Sequence, residues 1–335
     1  MARRSIIPIF VPHLGCPRQC VFCDQKRISG SPLPCGARDV CAALDAAEKA
    51  GMQGAQLAFY GGSFTAVGED MQEELLGAAQ PYIDRGVIDS IRLSTRPDAI
   101  DEKTLARARR CRVQIIELGS QSMDDAVLAA SGRGHTAADT VRAAALVKAG
   151  GFRLVLQMMT GLPGASDASD IETARRIIAL RPDAVRIYPT VIVRDTPLYA
   201  LWRAGEYREH TVADAVRVCA DILPLFEAAG IPVIRLGLNP TQELSNGEAV
   251  AGAYHPALGE LVRSERLRRQ AMELMHDVPP GAAITLGVPE RLVSAMIGQK
   301  RANVERLARD KQLRALDVKA CKTAENGILL LDVVL

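Results

Sequence analysis

The sequence predicts an α/β fold, a partial (β/α)6-type barrel followed by a small C-terminal α+β domain. Three observations lead there. Short β-branched apolar runs alternate with amphipathic helical stretches over the first two thirds of the chain, polar and glycine-rich segments follow almost every run, and the tail changes both charge and element order. Of the 335 residues 48% are hydrophobic and 24% charged, enough for a large core, and the length allows one large domain with a smaller one.

The runs Ile6-Val11, Gln56-Tyr60, Ser90-Ser94, Val113-Leu118, Phe152-Met158, Ala184-Tyr188 and Pro232-Leu236 predict strands. The stretches Ala37-Ala50, Met71-Tyr82, Lys103-Arg110, Thr136-Ala149, Ile171-Leu180 and Val212-Ala228 predict the helices between them. Strands joined by crossover helices must pair in parallel. The polar segments fall at the C-terminal ends of the strands, where a barrel keeps its site, so a curved incomplete barrel is expected over a flat doubly wound sheet. No internal repeat or low-complexity stretch is evident.

The first strand runs into Pro12-His13-Leu14-Gly15-Cys16-Pro17-Arg18-Gln19-Cys20-Val21-Phe22-Cys23. Its C-x3-C-x2-C spacing puts three thiols on one loop. Such a set can hold three irons of a 4Fe-4S cube and leave the fourth iron open. With His13 added, the same loop could instead form a tetrahedral Cys3His zinc site. Cys35 could in principle complete a cluster, whereas Cys41, Cys111, Cys219 and Cys321 sit in apolar or helical contexts; all five are expected to be structural. Eight cysteines spread thinly, no secretory signal and no apolar run of spanning length predict a reduced, soluble, cytoplasmic chain with no membrane partner.

Later strands end in comparable segments. Gly61 and Gly62, in Phe59-Tyr60-Gly61-Gly62-Ser63-Phe64-Thr65, let backbone approach a ligand. Arg96, in Ser94-Thr95-Arg96-Pro97-Asp98, offers a planar fork to a carboxylate or phosphate, while Gln121 and Gln157 could hydrogen-bond a ribose or base. Ser94 and Asp98 also suit turn or cap positions, and Met158 and Met159 suit the core.

The cysteine loop resembles that of the radical S-adenosylmethionine (radical SAM) superfamily. Together with Gly61-Gly62-Ser63-Phe64, the motifs Arg133-Gly134-His135-Thr136, Arg186-Ile187-Tyr188-Pro189-Thr190 and Asp195-Thr196-Pro197-Leu198-Tyr199-Ala200-Leu201-Trp202 are similar, in order and spacing, to the radical SAM half of elongator catalytic subunits. The likeness runs from roughly residue 5 to 245. It implies that Cys16, Cys20 and Cys23 bind a 4Fe-4S cluster, that Gly61, Gly62, Arg96, Gln121 and Gln157 lie near S-adenosylmethionine, and that Tyr188 lies toward the substrate. It also implies reductive cleavage of that cofactor to a 5'-deoxyadenosyl radical and an electron donor such as ferredoxin or flavodoxin. Three departures stand out. Ser63 replaces the carboxylate common after the two glycines, the cysteine loop is tighter than in elongator subunits, and nothing after residue 245 resembles their acetyltransferase domain.

Net charge is +2, but from Glu260 to Glu325 thirteen Lys and Arg face nine Asp and Glu, so the basic surplus lies in the tail. A domain boundary is expected near residue 245, dividing a 1-245 barrel from a 246-335 basic module. In the module, strand Ala283-Val288, helix Pro289-Ile297, turn Gly298-Gln299-Lys300-Arg301, helix Ala302-Asp310 and strands Ala315-Ala320 and Ile328-Val334 resemble a KH RNA-binding core. That resemblance implies a GXXG clamp on the nucleic-acid backbone, with Arg301 where the second glycine should stand and Lys300 beside it. A small cap or dimerisation element is the alternative. The expected function is radical SAM modification of RNA, a transfer RNA uridine foremost. Alternatives are a small-metabolite or porphyrin-type substrate, or a non-catalytic RNA-binding or scaffold role. No residue stands out as a general acid or base.

Overall fold

The structure, a computed structural model, describes residues 5-11, 16, 19-24, 35-239, 244-322 and 327-335. Two compact units are present, residues 1-211 with 222-256, and residues 212-221 with 257-335.

In the first unit, strands β1 (Ile6-Phe10), β2 (Ala55-Tyr60), β3 (Ile88-Thr95), β4 (Val113-Gln121), β5 (Arg153-Thr160), β6 (Ala184-Pro189) and β8 (Val233-Leu236) form a seven-stranded sheet in that spatial order. Every neighbouring pair is parallel. A doubly wound sheet needs a point where the strand order reverses, and this order has none. The crossover helices form where the sequence supplies caps. Asp101 accepts from Thr104 N (2.7 Å) at the start of Glu102-Arg110, Thr136 accepts from Asp139 N (3.2 Å) at Ala137-Ala149, and Ser166 accepts from Ser169 N (3.2 Å) at Asp167-Ala179.

Curling of the sheet is visible in one contact. Arg186 on β6 donates through Nη2 to Tyr60 Oη on β2 at 2.7 Å. Four strand spacings of about 4.8 Å would hold β2 and β6 roughly 19 Å apart in a flat sheet, with side chains standing perpendicular to it. The two ends therefore bend toward a shared interior, giving a half-barrel.

Two short strands and two short helices were not expected from the sequence. Strand β7 (Val191-Val193) pairs antiparallel with β9 (Ala249-Gly252), and short helices cover Asp125-Ala130 and Pro197-Arg203. Both helices are capped, by Asp124 accepting from Ala126 N and by Thr196 accepting from Tyr199 N.

In the second unit, β10 (Ala283-Val288) pairs parallel with β11 (Ala315-Ala320) and antiparallel with β12 (Leu329-Val334). Its core gathers Leu267 and Met275 with Leu286, Met296 and Leu307. Helix Val293-Ile297 and helix Ala302-Asp310 flank a turn at residues 298-301. No helix among the described residues is long and apolar enough to cross a membrane.

Candidate functional site

Residues 19-24 of the cysteine loop are held from two later parts of the chain. Val21 N donates to Ser131 O at 3.1 Å, and Val21 O accepts from Leu198 N at 2.8 Å. Phe22 packs against Val127, Met159 and Leu162. The two motifs around Arg133 and Leu198 thus serve as the frame of this loop, a role their sequence did not announce. Cys20 is buried, Cys16 and Cys23 are half-buried, and Cys23 N donates to Cys20 O at 3.1 Å. Pro12-Gly15, Pro17 and Arg18 lie outside the described residues, and so does His13, on which the zinc alternative depends. Among the described residues, no group of three or more His, Cys, Asp or Glu is drawn together closely enough to hold a metal ion. Cys35 is buried, its Sγ donates to Gly36 O at 3.6 Å, and burial together with Asp39 pushes its thiol up to about 11.

Two buried arginines flank the thiols. Arg133 donates through Nη1 to Cys20 Sγ at 3.2 Å and through Nη2 to Gly119 O at 2.7 Å. Arg96 forms a bidentate pair with Asp98 at 2.9 and 2.7 Å and donates through Nη2 to Arg133 O at 2.6 Å. Burial pushes the Cys16 thiol up and the neighbouring Cys20 adds to it, while Arg96 and Arg133 pull it down. Burial opposes the charge of Asp98, yet the Arg96 guanidinium holds its carboxyl below the usual range. Arg96 Nη1 and Arg133 Nε are buried and find no partner among the described residues. A donor set of thiols only, bordered by guanidinium N-H groups without acceptors, fits an anionic thiolate-bound cluster better than an isolated cation.

Next to Arg133, burial and then Arg133 and Arg96 lower His135 to about 4. The neutral ring lies 3.2 Å from Ser120 O through Nε2, which places its proton there.

Gly61 and Gly62, after β2, adopt φ of 76° and 58°, the left-handed region that favours glycine. Ser63 is fully buried. Its hydroxyl lies 2.9 Å from Thr95 Oγ1 and accepts from Arg96 N at 3.2 Å, so it ties the ends of β2 and β3 together. Gln121 follows a register shift in β4 and has φ of 64°, rare for a side chain of its size. The irregularity turns its amide toward Gln157, whose Nε2 donates to Gln121 Oε1 at 3.2 Å. A Cβ at Gly119 would meet Gln121 Nε2 at 2.9 Å, so a larger residue there would displace that amide. Met158 and Met159 are both buried, as expected.

Tyr188 belongs to an ionic network inside the half-barrel. Arg186 donates through Nη1 to Tyr188 Oη at 3.1 Å, and its Nε lies 3.2 Å from Glu117 Oε2. Arg92 reaches the same carboxylate oxygen at 3.3 Å and donates through Nε to Gln56 Oε1 at 2.9 Å. Two guanidiniums therefore share one carboxylate inside the sheet. Burial raises the Tyr188 phenol. Sequence reasoning passed over Arg92, Glu117 and Arg133 as functional residues. For Arg92 and Glu117 the available signal was a charge inside an otherwise apolar parallel strand, where both faces are covered; Arg133 lies in a loop and carried no such signal.

In the second unit, Lys300 and Arg301 both adopt left-handed φ, 50° and 65°, and Arg301 precedes helix Ala302-Asp310. A cavity of about 530 Å³ beside this turn is lined by Glu290, Val293, Ser294, Ile297, Gly298 and Ala320.

The sequence profile of the Radical SAM superfamily matches residues 10-177, and that of the Radical_SAM C-terminal domain matches residues 182-268. A tRNA uridine(34) acetyltransferase of Methanocaldococcus infernus is 33% identical over 138 residues, which is 39% of this chain and 26% of that protein. Elongator complex protein 3 of Bos taurus is 30% identical over 204 residues, 57% of this chain and 37% of that protein. The chain thus spans well under half the length of these two relatives. Among solved structures, the Elp3 protein of Methanocaldococcus infernus with its N-terminus deleted matches with a TM-score of 0.61 at 23% identity, covering 80% of this chain and 62% of that one.

Proposed function

The chain belongs to the radical SAM superfamily, and from that premise we propose that it modifies RNA by radical chemistry, with a uridine of transfer RNA as the substrate. In this reading Cys16, Cys20 and Cys23 hold a 4Fe-4S cluster. Gly61, Gly62, Arg96, Gln121 and Gln157 surround S-adenosylmethionine, and Tyr188 faces the substrate. A cluster and S-adenosylmethionine held there would supply radical chemistry, with the electron coming from a ferredoxin or flavodoxin. The observation that carries the reading is the buried Cys20 hydrogen-bonded by Arg133, itself tied to Arg96 after β3, within a superfamily match over residues 10-177.

The protein's own residues do the placing. Arg96 presents a buried N-H with no acceptor among the described residues, suited to a carboxylate. Gln121 and Gln157, joined to each other, keep one amide N-H2 and one carbonyl for further hydrogen bonds with a ribose or base. Likeness to tRNA uridine(34) acetyltransferases supports the substrate class. In the tail, Lys300 and Arg301 project from a tight turn beside a cavity, which supports contact with a phosphate backbone in the manner of a KH-like module.

Mass spectrometry of nucleosides from total transfer RNA, in cells with and without the gene, tests this. A modified nucleoside that vanishes, returns with the wild-type chain and does not return with Cys20→Ala would support a cluster-dependent RNA modification. Identical nucleoside profiles would refute the substrate assignment. Changing Lys300 and Arg301 to Glu should weaken RNA binding and flatten its salt dependence; unchanged binding across salt concentrations would remove the tail from the reading.

A further inference from the structure

We propose that Arg133 is a positioning residue that sets the reduction potential of the cluster, by donating a hydrogen bond to the sulfur of Cys20. The inference rests on the assignment of Cys16, Cys20 and Cys23 as cluster ligands.

Arg133 is 6% exposed and is fixed at both ends of its own length. Its backbone lies between Gly132 and Gly134, with φ of 66° and 73°, and a Cβ at Gly132 would meet Gln19 O at 3.4 Å, against the cysteine loop itself. Its carbonyl accepts from Arg96, and the guanidinium spans from Gly119 O on β4 to Cys20 Sγ. A side chain merely filling space would not need this triangulation. The Cys20 bond is a cationic N-H directed at a sulfur in a buried setting, and Nε is a further buried N-H with no partner among the described residues.

Hydrogen bonds to ligand sulfurs and nearby charge are among the features that set iron-sulfur potentials. On reduction the cluster gains one electron from the external ferredoxin or flavodoxin and its net charge falls by one. A guanidinium donor stabilises the more negative state more strongly, so Arg133 moves the potential upward and makes the cluster easier to reduce.

The test uses the full chain reconstituted anaerobically, with Arg133→Lys and Arg133→Gln beside the wild type. Iron and sulfide per chain, thermal unfolding before reconstitution, and the midpoint potential from an EPR-monitored redox titration are measured for each. The expected result is a more negative midpoint in Arg133→Gln, with Arg133→Lys between it and the wild type because the charge remains and the planar fork is lost. Equal midpoints at matched iron content would overturn the inference and leave only a structural role, which would show in unfolding and cluster content alone. If Arg133→Gln does not fold, the lysine variant carries the same comparison. A wild-type chain that takes up no iron would refute the cluster assignment itself, which is a different failure.

Discussion

Replacing Glu117 with Gln removes the carboxylate shared by Arg92 and Arg186 while keeping the side-chain shape. Glu117 is 2% exposed, and its Oε2 lies 3.3 Å from Arg92 Nη1 and 3.2 Å from Arg186 Nε. Both guanidiniums are themselves buried, with side-chain exposures of 8% and 12%. Removing one partner of a buried ion pair strands the other, at a cost of about 3-5 kcal/mol. Two cations facing each other without a counter-charge put this variant at the upper end. The remaining hydrogen bonds, from Arg92 to Gln56 and from Arg186 to Tyr60 and Tyr188, keep it from being worse. The chain has a single tryptophan, Trp202, and it lies in the first unit, so its fluorescence in urea follows that unit. With a denaturant slope of about 2-3 kcal/mol per M, the midpoint should fall by about 1.7-2.5 M. Adding Arg92→Met to Glu117→Gln should recover part of the loss, because one stranded cation is gone. A loss below about 1 kcal/mol for Glu117→Gln, or a double variant no better than the single one, would refute the claim that this network is a mutually dependent charge set.

Two further predictions concern other parts of the fold. Asp170 accepts from Gly161 N at 2.9 Å, and burial pushes its carboxyl from 3.8 up to about 7. The folded chain therefore holds a proton that the unfolded chain has released between pH 3.8 and about 7, and stability from this group is lost as pH rises through that window. Asp170→Asn should flatten the urea midpoint against pH over this range; an unchanged slope would place the titration elsewhere. At the tail turn, Arg301 has φ of 65°, so Arg301→Gly should stabilise the second unit by about 0.5-1 kcal/mol once the entropy of the added glycine is set against the relieved backbone strain. Arg301→Val should destabilise it, and amide hydrogen exchange in β10 and β11 would report the difference; equal protection in both variants would contradict the strain argument.

Most of the sheet was legible because its strands are short apolar runs, most of them β-branched, and because consecutive crossovers leave few topologies open. Each predicted strand overlaps an observed one. Strands β7 and β9 were not legible, since Val191-Val193 and Ala249-Gly252 are very short and far apart in sequence, so only tertiary pairing defines them. Helix Pro197-Arg203 did carry a signal, Thr196 as cap and Pro197 at the first helical position, but it sat inside a motif read for its family likeness. Ser63, which stands where a carboxylate is common, is a buried tie between β2 and β3, a role set by Thr95 and Arg96 that no local pattern discloses. Arg92, Glu117 and Arg186 were hidden for a similar reason: whether a charge in a strand points into a barrel depends on its curvature, which one sequence does not spell out.

The way Val21 is held also bears on biogenesis. Its partners, Ser131 and Leu198, are translated long after the thiols themselves. Early strands can assemble while the ribosome is still working, but the pocket around Cys20 gains its walls only when the helix containing Leu198 has emerged. On the assignment of these cysteines as cluster ligands, iron delivery is expected only after that helix has emerged, and a stall before it would leave the three thiols open to oxidation.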